Sequence, residues 1–411
     1  MSRYIKNIHI NKVRHLSNIN IPLEKEDYPH LMITGKNGSG KTSLLNAIAN
    51  HIERVANDSY KNFESYERQI EYFEKHLKKE NPQNALSLEQ SLVWTKNQYE
   101  LFFGEVTVAF EDVDNLIRKY QDGNFIIAFY EARRTIKNLQ ETINPTKPTL
   151  KYKWGINQAA TQEFLHFLSD LKIQEALARN EKLEKDANQI NEWFVNFEQL
   201  LGKIFQDEYL KLAFNYKDYS FKILTKGKEF KFTELSDGFA AVLDIIVDLI
   251  LKMQHKNQLI RAYKREGIVL VDEIETHLHL ELQKVIMPLL TEIFPNIQFI
   301  VTTHSPFVLS SLSNAVAFDL EHQEIIEDLT EYSYESLAEG YFGVKTTSSY
   351  MEMHLDRLEE LLKKEVLSLS EKSELKHLIN DFEEMPKFAS FLIKGRFSHL
   401  KNQYFQKIKA L

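Results

Sequence analysis

The octapeptide Gly35-Lys36-Asn37-Gly38-Ser39-Gly40-Lys41-Thr42 fills every fixed position of the pattern G-x-x-x-x-G-K-[ST]. Its chemistry is the cradling of phosphate. Glycines permit the dihedrals that turn successive backbone N–H groups inward, and a following helix adds its N-terminal dipole. Lys41 would reach the β and γ phosphates, and the Thr42 hydroxyl would hold Mg²⁺. Gly35, Asn37, Gly38, Ser39, Gly40, Lys41, Thr42 and Ser43 are therefore the candidate nucleotide-binding residues. The plainer reading is a glycine turn before an ordinary helix.

Three further groups follow about two hundred residues later. Asp272 and Glu273 end the apolar run Gly267-Ile268-Val269-Leu270-Val271, which has the composition of a central parallel strand buried on both faces. Both carboxylates thus emerge at the carboxyl edge of a sheet, where open α/β folds bind ligands. Asp272 is placed to anchor the metal and Glu273 to polarise an attacking water. Upstream, Leu235-Ser236-Asp237-Gly238 opens a long apolar helix, and Ser236 and Gly238 at that N-terminus form a second candidate anion site. Downstream, His304 follows the strand Gln298 to Thr302, where a side chain can reach a γ-phosphate. Taken singly, the carboxylates could be surface acids, the tetrapeptide a chance match and the histidine structural. Their order relative to the glycine loop favours the functional reading of each.

The elements that must position these residues are legible in the pattern. Leu31-Met32-Ile33-Thr34 is a short buried strand feeding into Gly35, and Ser43 to Ala49 has helical spacing, so the glycine loop joins strand to helix. Tyr4 to Ile10 and Ile19 to Leu23 alternate as half-buried strands, and Val106 to Phe110 and Phe125 to Phe129 return to strand character. Phe214 to Phe232 alternates around Lys226-Gly227-Lys228, which predicts a hairpin. Helices are expected over Phe239 to Met253 and Leu280 to Ile293, and a short helix and a strand near Ala315 to Leu320 beyond Ser310. Two tracts rich in helix formers are expected as insertions at about 52–100 and 155–208, on either side of the break Asn144-Pro145-Thr146-Lys147-Pro148. The pattern predicts an α/β domain over residues 1–325 and a charged, amphipathic helical region over 326–411. There Met351, Leu355, Leu358, Leu361 and Leu362 form an apolar stripe suited to packing on the second lobe or to partner docking.

Bulk composition bounds the chemistry. The 411 residues are 43% hydrophobic and 27% charged, with no cysteine, which excludes disulfides, thiolate metal sites and cysteine nucleophiles. No apolar run approaches the roughly 20 residues needed to span a bilayer, and Met1 to Lys6 lacks the apolar core of a secretory signal. A cytoplasmic location and no membrane partner are expected. The net charge of -8 argues against a uniformly basic nucleic-acid coat while leaving room for a local basic groove.

Together, the glycine loop, the Leu235–Gly238 tetrapeptide, the Asp272–Glu273 pair and His304 resemble, in type and order, an ABC-type P-loop ATPase head of the SMC, RecF and OLD group. The resemblance covers roughly residues 1–50, 100–140 and 210–325. It implies ATP and Mg²⁺ as cofactors and a pairing of heads in a homodimer or higher homo-oligomer. In such a pair Ser236 and Gly238 act in trans on ATP held by the other copy, while Glu275-Thr276-His277-Leu278 takes the position of the interfacial loop after the catalytic carboxylate. Two departures stand out. No glutamine is assigned to the family's Mg²⁺-sensing position, near which lie Phe129 to Arg134 with Arg133 and Arg134, and the helical insertions are short beside SMC arms.

Nuclease-bearing relatives in the OLD group continue into a Toprim domain with a glutamate and a D-x-D pair. After His304 the only Glu-Gly is Glu339-Gly340, and no D-x-D follows, so no nuclease is expected in this chain. The overall plan is similar to stand-alone ATPases of bacterial anti-phage systems of the Septu and retron-associated kinds. That resemblance implies an ATP-hydrolysing subunit controlling a separately encoded nuclease or toxin, with DNA or RNA as a possible further ligand. The alternative is a RecF-like or SMC-like repair or recombination ATPase. Membrane transport fits the first lobe poorly.

Overall fold

The computed structural model describes residues 4–23, 30–59, 61–77, 82–133, 146–254, 264–326, 329, 332, 334, 336–337, 349–385 and 391–409. The chain divides into two compact units, Met1–Tyr334 and Glu335–Leu411. The first opens with β1 (Ile5–Val13), β2 (Leu16–Pro22), β3 (His30–Thr34) and α1 (Lys41–Arg54), followed by the helical pair α2 (Lys61–Leu77) and α3 (Pro82–Phe103). Next come β4 (Val106–Phe110), α4 (Val113–Gln121), β5 (Phe125–Tyr130) and a second pair, α5 (Phe164–Asn180) and α6 (Glu184–Phe205). Strands β6 (Lys211–Asn215), β7 (Ser220–Thr225) and β8 (Lys228–Lys231) lead to α7 (Asp237–Lys252) and β9 (Glu266–Val271). Helix α8 (Leu280–Ile293), β10 (Ile297–Thr302), α9 (Pro306–Leu309), β11 (Ala315–Asp319) and β12 (Glu324–Ile326) complete it.

The central sheet has the order β12-β11-β3-β10-β9-β5. Its five strands from β11 to β5 are mutually parallel, and β12 alone runs antiparallel. Strands β3, β5 and β10 are buried at every residue, as apolar runs covered on both faces should be. Parallel pairing has one decisive consequence. Thr34, Tyr130, Val271, Thr302 and Asp319 all finish at the same edge, so the residues that follow them converge there.

Two antiparallel sheets flank this frame. The first, β2-β1-β4, alternates buried and exposed residues and is strapped to β10 by Gln298 Oε1, which accepts the Tyr4 and Ile5 N–H groups at 2.8 and 2.9 Å. The second, β6-β7-β8, turns at Lys226-Gly227 with Gly227 at φ 76°. It adds a third strand to the expected hairpin, because Lys211–Asn215 pairs with β7 in full register. One other expectation changes, and one helix is added. The short helix α9 precedes Ser310, since the Ser305 hydroxyl caps it by accepting the Phe307 and Val308 N–H groups. Helix α4 went unread; Asp112 caps it through the Asn115 N–H at 2.9 Å.

The second unit contains α10 (Ser349–Lys363), α11 (Leu369–Glu383), α12 (Phe391–Gln403) and α13 (Phe405–Lys409). Ser368 starts α11 with a capping box to Glu371. The Met351–Leu362 stripe is used up inside this unit. Leu355, Leu358, Leu361 and Leu362 are buried with Leu375, Phe382 and Phe397 in one core, to which Met351 packs.

Candidate functional site

The glycine loop is built as its sequence demands. Gly35, Gly38 and Gly40 have φ of 136°, 86° and 97°, the left-handed region that side chains resist. A Cβ at Gly35 would stand 2.9 Å from Ser39 Oγ, so that side chain would have to turn aside to admit one. The β1–β2 turn walls the far side, with Leu16 Cδ1 3.1 Å from where a Gly40 Cβ would lie. Gly40 then caps α1, and Thr42 is exposed at its first turn while Ser43 is half-buried. Asn37 and Gly38 are exposed at the loop's crest.

Lys41 is 5% exposed and lies back across the loop, donating to the Gly35 and Lys36 carbonyls at 2.8 and 3.0 Å. Burial pulls its ammonium below the usual lysine range, against the attraction of Glu273, Glu275, Asp272 and Asp319. Four carboxylates thus act on a single lysine at this edge, so the site as a whole is acidic. An acidic cradle for a polyanion requires a cation to come with it, and this donor set therefore fits a nucleotide bound as its Mg²⁺ complex.

Thr302 organises the carboxylate side. Its hydroxyl donates to Asp272 Oδ1 at 2.6 Å and accepts the Glu273 N–H at 2.7 Å, fixing both residues from the neighbouring strand. Asp272 is further held by its N–H to the Tyr130 carbonyl at 2.8 Å. Glu273 has a φ of 43°, a left-handed backbone at a non-glycine residue. Strain of this kind costs about 1–3 kcal/mol and persists where surrounding bonds enforce it, characteristically at functional positions. The Thr276 hydroxyl reaches the Glu273 carboxylate at 3.2 Å.

His304 is half-buried on the same edge. Burial lowers its imidazole below the usual range, reinforced by Lys41 and opposed by Glu273 and Asp272. Its backbone is held by Glu275, whose Oε1 accepts the His304 N–H at 2.5 Å. Burial raises the Glu275 carboxyl. Asp319, fully buried at the end of β11, accepts from the Glu321 N–H at 2.7 Å and contacts His322 Nδ1 at 2.7 Å. Thr302 and Asp319 were not singled out in the sequence, and a polar residue ending an apolar strand was their only local signal; Glu275 was read only as part of the loop Glu275–Leu278, not as a partner of His304.

The Leu235–Gly238 motif stands where α7 begins. Ser236 is the N-cap, exposed, with no side-chain capping bond. Gly238 is buried, and a Cβ there would lie 2.6 Å from the His277 carbonyl, so this glycine is required by close packing on the Glu275–Leu278 loop. His277 itself has a φ of 68°. Of the residues near the missing glutamine, Arg133 is exposed, while Arg134, like Glu339-Gly340, lies outside the described residues.

With this geometry in place, comparison with known proteins is informative. Residues 31–310 match the family described as AAA domain, putative AbiEii toxin, Type IV TA system. The chain is 26% identical over 422 residues to Septu protein PtuA of Bacillus mycoides (strain KBAB4), covering 98% of this chain and 54% of that protein. It thus spans about half the length of that relative. It is 23% identical to the retron Vc95 probable ATPase of Vibrio cholerae serotype O1 biovar El Tor, covering 81% of this chain and 77% of that one. Among solved structures, an Smc head bound to the C-terminal winged-helix domain of ScpA aligns with a TM-score of 0.38 at 14% identity, over 77% of this chain and 93% of that one.

Proposed function

Because the chain belongs to the AAA-domain family of putative AbiEii toxins and Type IV toxin–antitoxin systems, we propose that it is the ATP-hydrolysing subunit of an anti-phage defence complex. Two copies close head to tail around ATP and control a separate nuclease or toxin effector. The observation that carries this reading is the convergence of Lys41, Asp272, Glu273 and His304 on one sheet edge, with Thr302 bonded to both acidic residues. Residues 1–325 serve as the ATPase head and 326–411 as a helical region.

In this reading the loop amides of Gly35–Thr42 and the α1 N-terminus bind the phosphates, with Asn37, Ser39 and Ser43 at the rim. Lys41 leaves the loop carbonyls to contact the β and γ phosphates. Thr42 and Asp272 would hold Mg²⁺ together with the phosphates of the nucleotide. Bound Mg²⁺ neutralises charge on the phosphates. Glu273 orients and deprotonates the attacking water, and His304, kept neutral by burial, faces the γ-phosphate as donor or acceptor. Ser236 is exposed, which suits a residue completing the other copy's site, whereas buried Gly238 contributes by letting α7 approach the Glu275–Leu278 loop.

Replacement Glu273→Gln tests the assignment. It should leave ATP binding intact, abolish phosphate release and trap ATP-dependent pairs visible by sedimentation. Turnover at the wild-type rate would remove Glu273 from the mechanism. Co-purification with the products of neighbouring genes tests effector control, and DNA binding that depends on ATP with no associated effector would favour a repair ATPase.

A further inference from the structure

Helix α7, which carries Ser236, is fastened to the Asp272 segment near both of its ends. Near its start, Gly238 lies under the His277 carbonyl. Towards its end, a buried charge pair interrupts an otherwise apolar surface: Lys252 Nζ is 2.7 Å from Asp248 Oδ2, with side chains 2% and 1% exposed. Their neighbours Ile245, Ile246, Leu249 and Ile250 are all buried.

Asp248 is a junction. Its Oδ2 also accepts the Tyr130 hydroxyl at 2.6 Å, and its Oδ1 accepts the Ala160 N–H at 2.5 Å. One turn earlier, Asp244 Oδ1 accepts the Thr161 hydroxyl at 3.0 Å, so the segment entering α5 is tied to α7 twice. Tyr130 closes the chain of contacts. It is the last residue of β5, and its carbonyl accepts the Asp272 N–H at 2.8 Å. Its backbone thus touches the metal-binding candidate while its hydroxyl touches α7, the signature helix opened by Leu235–Gly238. Burial and the charge of Asp248 push that hydroxyl well up, so it stays a donor at neutral pH.

Desolvation makes a buried ion pair a poor source of stability; a well-packed apolar pair would serve as well or better. What a fully satisfied polar network does supply is direction. It fixes β5, α7 and the start of α5 in one relative register, and a shift of one member is felt by the others.

We propose that Tyr130 and Asp248 are positioning residues that transmit the state of the Asp272 site to Ser236 and to the α5–α6 pair. ATP bound by one copy thereby sets the geometry of the signature helix that copy offers to the next. This rests on the ATP-driven pairing proposed above.

Tyr130→Phe removes one hydroxyl and leaves Asp248 bonded to Lys252 and Ala160. Tyr120→Phe is the matched control, since it removes a buried hydroxyl bonded to the Trp154 carbonyl at 3.0 Å, away from the network. The full-length chain is compared in three measurements. These are affinity for a fluorescent ATP analogue at concentrations too low for pairing, ATP-dependent pairing in a Glu273→Gln background, and the ATP-concentration dependence of phosphate release. Tyr130→Phe should leave nucleotide affinity unchanged, weaken pairing by roughly 2- to 30-fold and bring the Hill coefficient towards that of independent sites. Tyr120→Phe should do neither. Wild-type pairing by Tyr130→Phe, an equal loss in Tyr120→Phe, or a matching loss of nucleotide affinity would each overturn the inference while leaving the ATPase reading intact. A wild-type chain that binds ATP without pairing would overturn both.

Discussion

At the scale of single residues, the Thr302 hydroxyl does two jobs at once. It neutralises part of the buried Asp272 and holds the strained Glu273 backbone through its N–H. Thr302→Val keeps the shape and deletes both bonds. By the usual effect of losing an outer-shell partner, turnover should fall by about 10- to 100-fold. Nucleotide affinity should change less, since Lys41 and the loop amides are untouched. Phosphate release and analogue binding, measured together, separate the two; a parallel loss of both would mean that Thr302 merely supports the fold. Thr302 also shows where sequence reading stops. Gly35, Gly38 and Gly40 were legible because a positive φ constrains residue type locally. Thr302 and Asp319 matter through the register of parallel strands, Thr302 against Ile33 and Asp319 against Thr34, and the pairing of distant segments is not written in either segment alone.

At the scale of elements, β3, α1, β9 and β10 were readable because strands covered on both faces become apolar runs and the phosphate loop requires a strand before it and a helix after it. Helix α4 and strand β6 were not. The first is amphipathic, with Leu116, Ile117 and Tyr120 buried, but covers only Val113–Gln121, and the second, Lys211–Asn215, is exposed or half-buried throughout and carries no strong apolar period. The contact between α7 and the Glu275–Leu278 loop was equally hidden, although its cause is one glycine. Gly238→Ala would drive a methyl to 2.6 Å from the His277 carbonyl, backbone that cannot swing aside as a side chain would. The α7 N-terminus must move or the loop must. A cost of about 1–3 kcal/mol is expected in urea unfolding, together with weakened ATP-dependent pairing, because Ser236 is displaced with the helix start. Unchanged stability and unchanged pairing would show that the junction yields freely.

At the scale of the molecule, the first unit carries two buried histidines that make its stability depend on pH. His30 and His51 are 1% and 3% exposed, and burial holds each down to about 4, assisted at His51 by Arg54. Both are fixed as acceptors: His30 Nδ1 takes the Phe299 N–H at 3.1 Å, and His51 Nε2 takes the Val108 N–H at 3.4 Å. A proton added at either nitrogen would face another hydrogen. Unfolded, the same rings titrate near about 6.5, so below that pH the unfolded chain binds more protons than the folded one, and stability falls as pH falls. The contribution is intact above about 6.5 and is lost as pH drops towards the folded-state value. Complete loss would amount to about 3 kcal/mol per histidine, a large part of the roughly 5–15 kcal/mol that holds a domain folded. Glu275, raised by burial, works in the opposite direction and softens the slope. Urea midpoints measured from pH 7.5 down to 5 should therefore decline well before ordinary carboxylates titrate, and His51→Leu should flatten the decline. A decline no steeper in the wild type than in His51→Leu would show that burial does not hold His51 down.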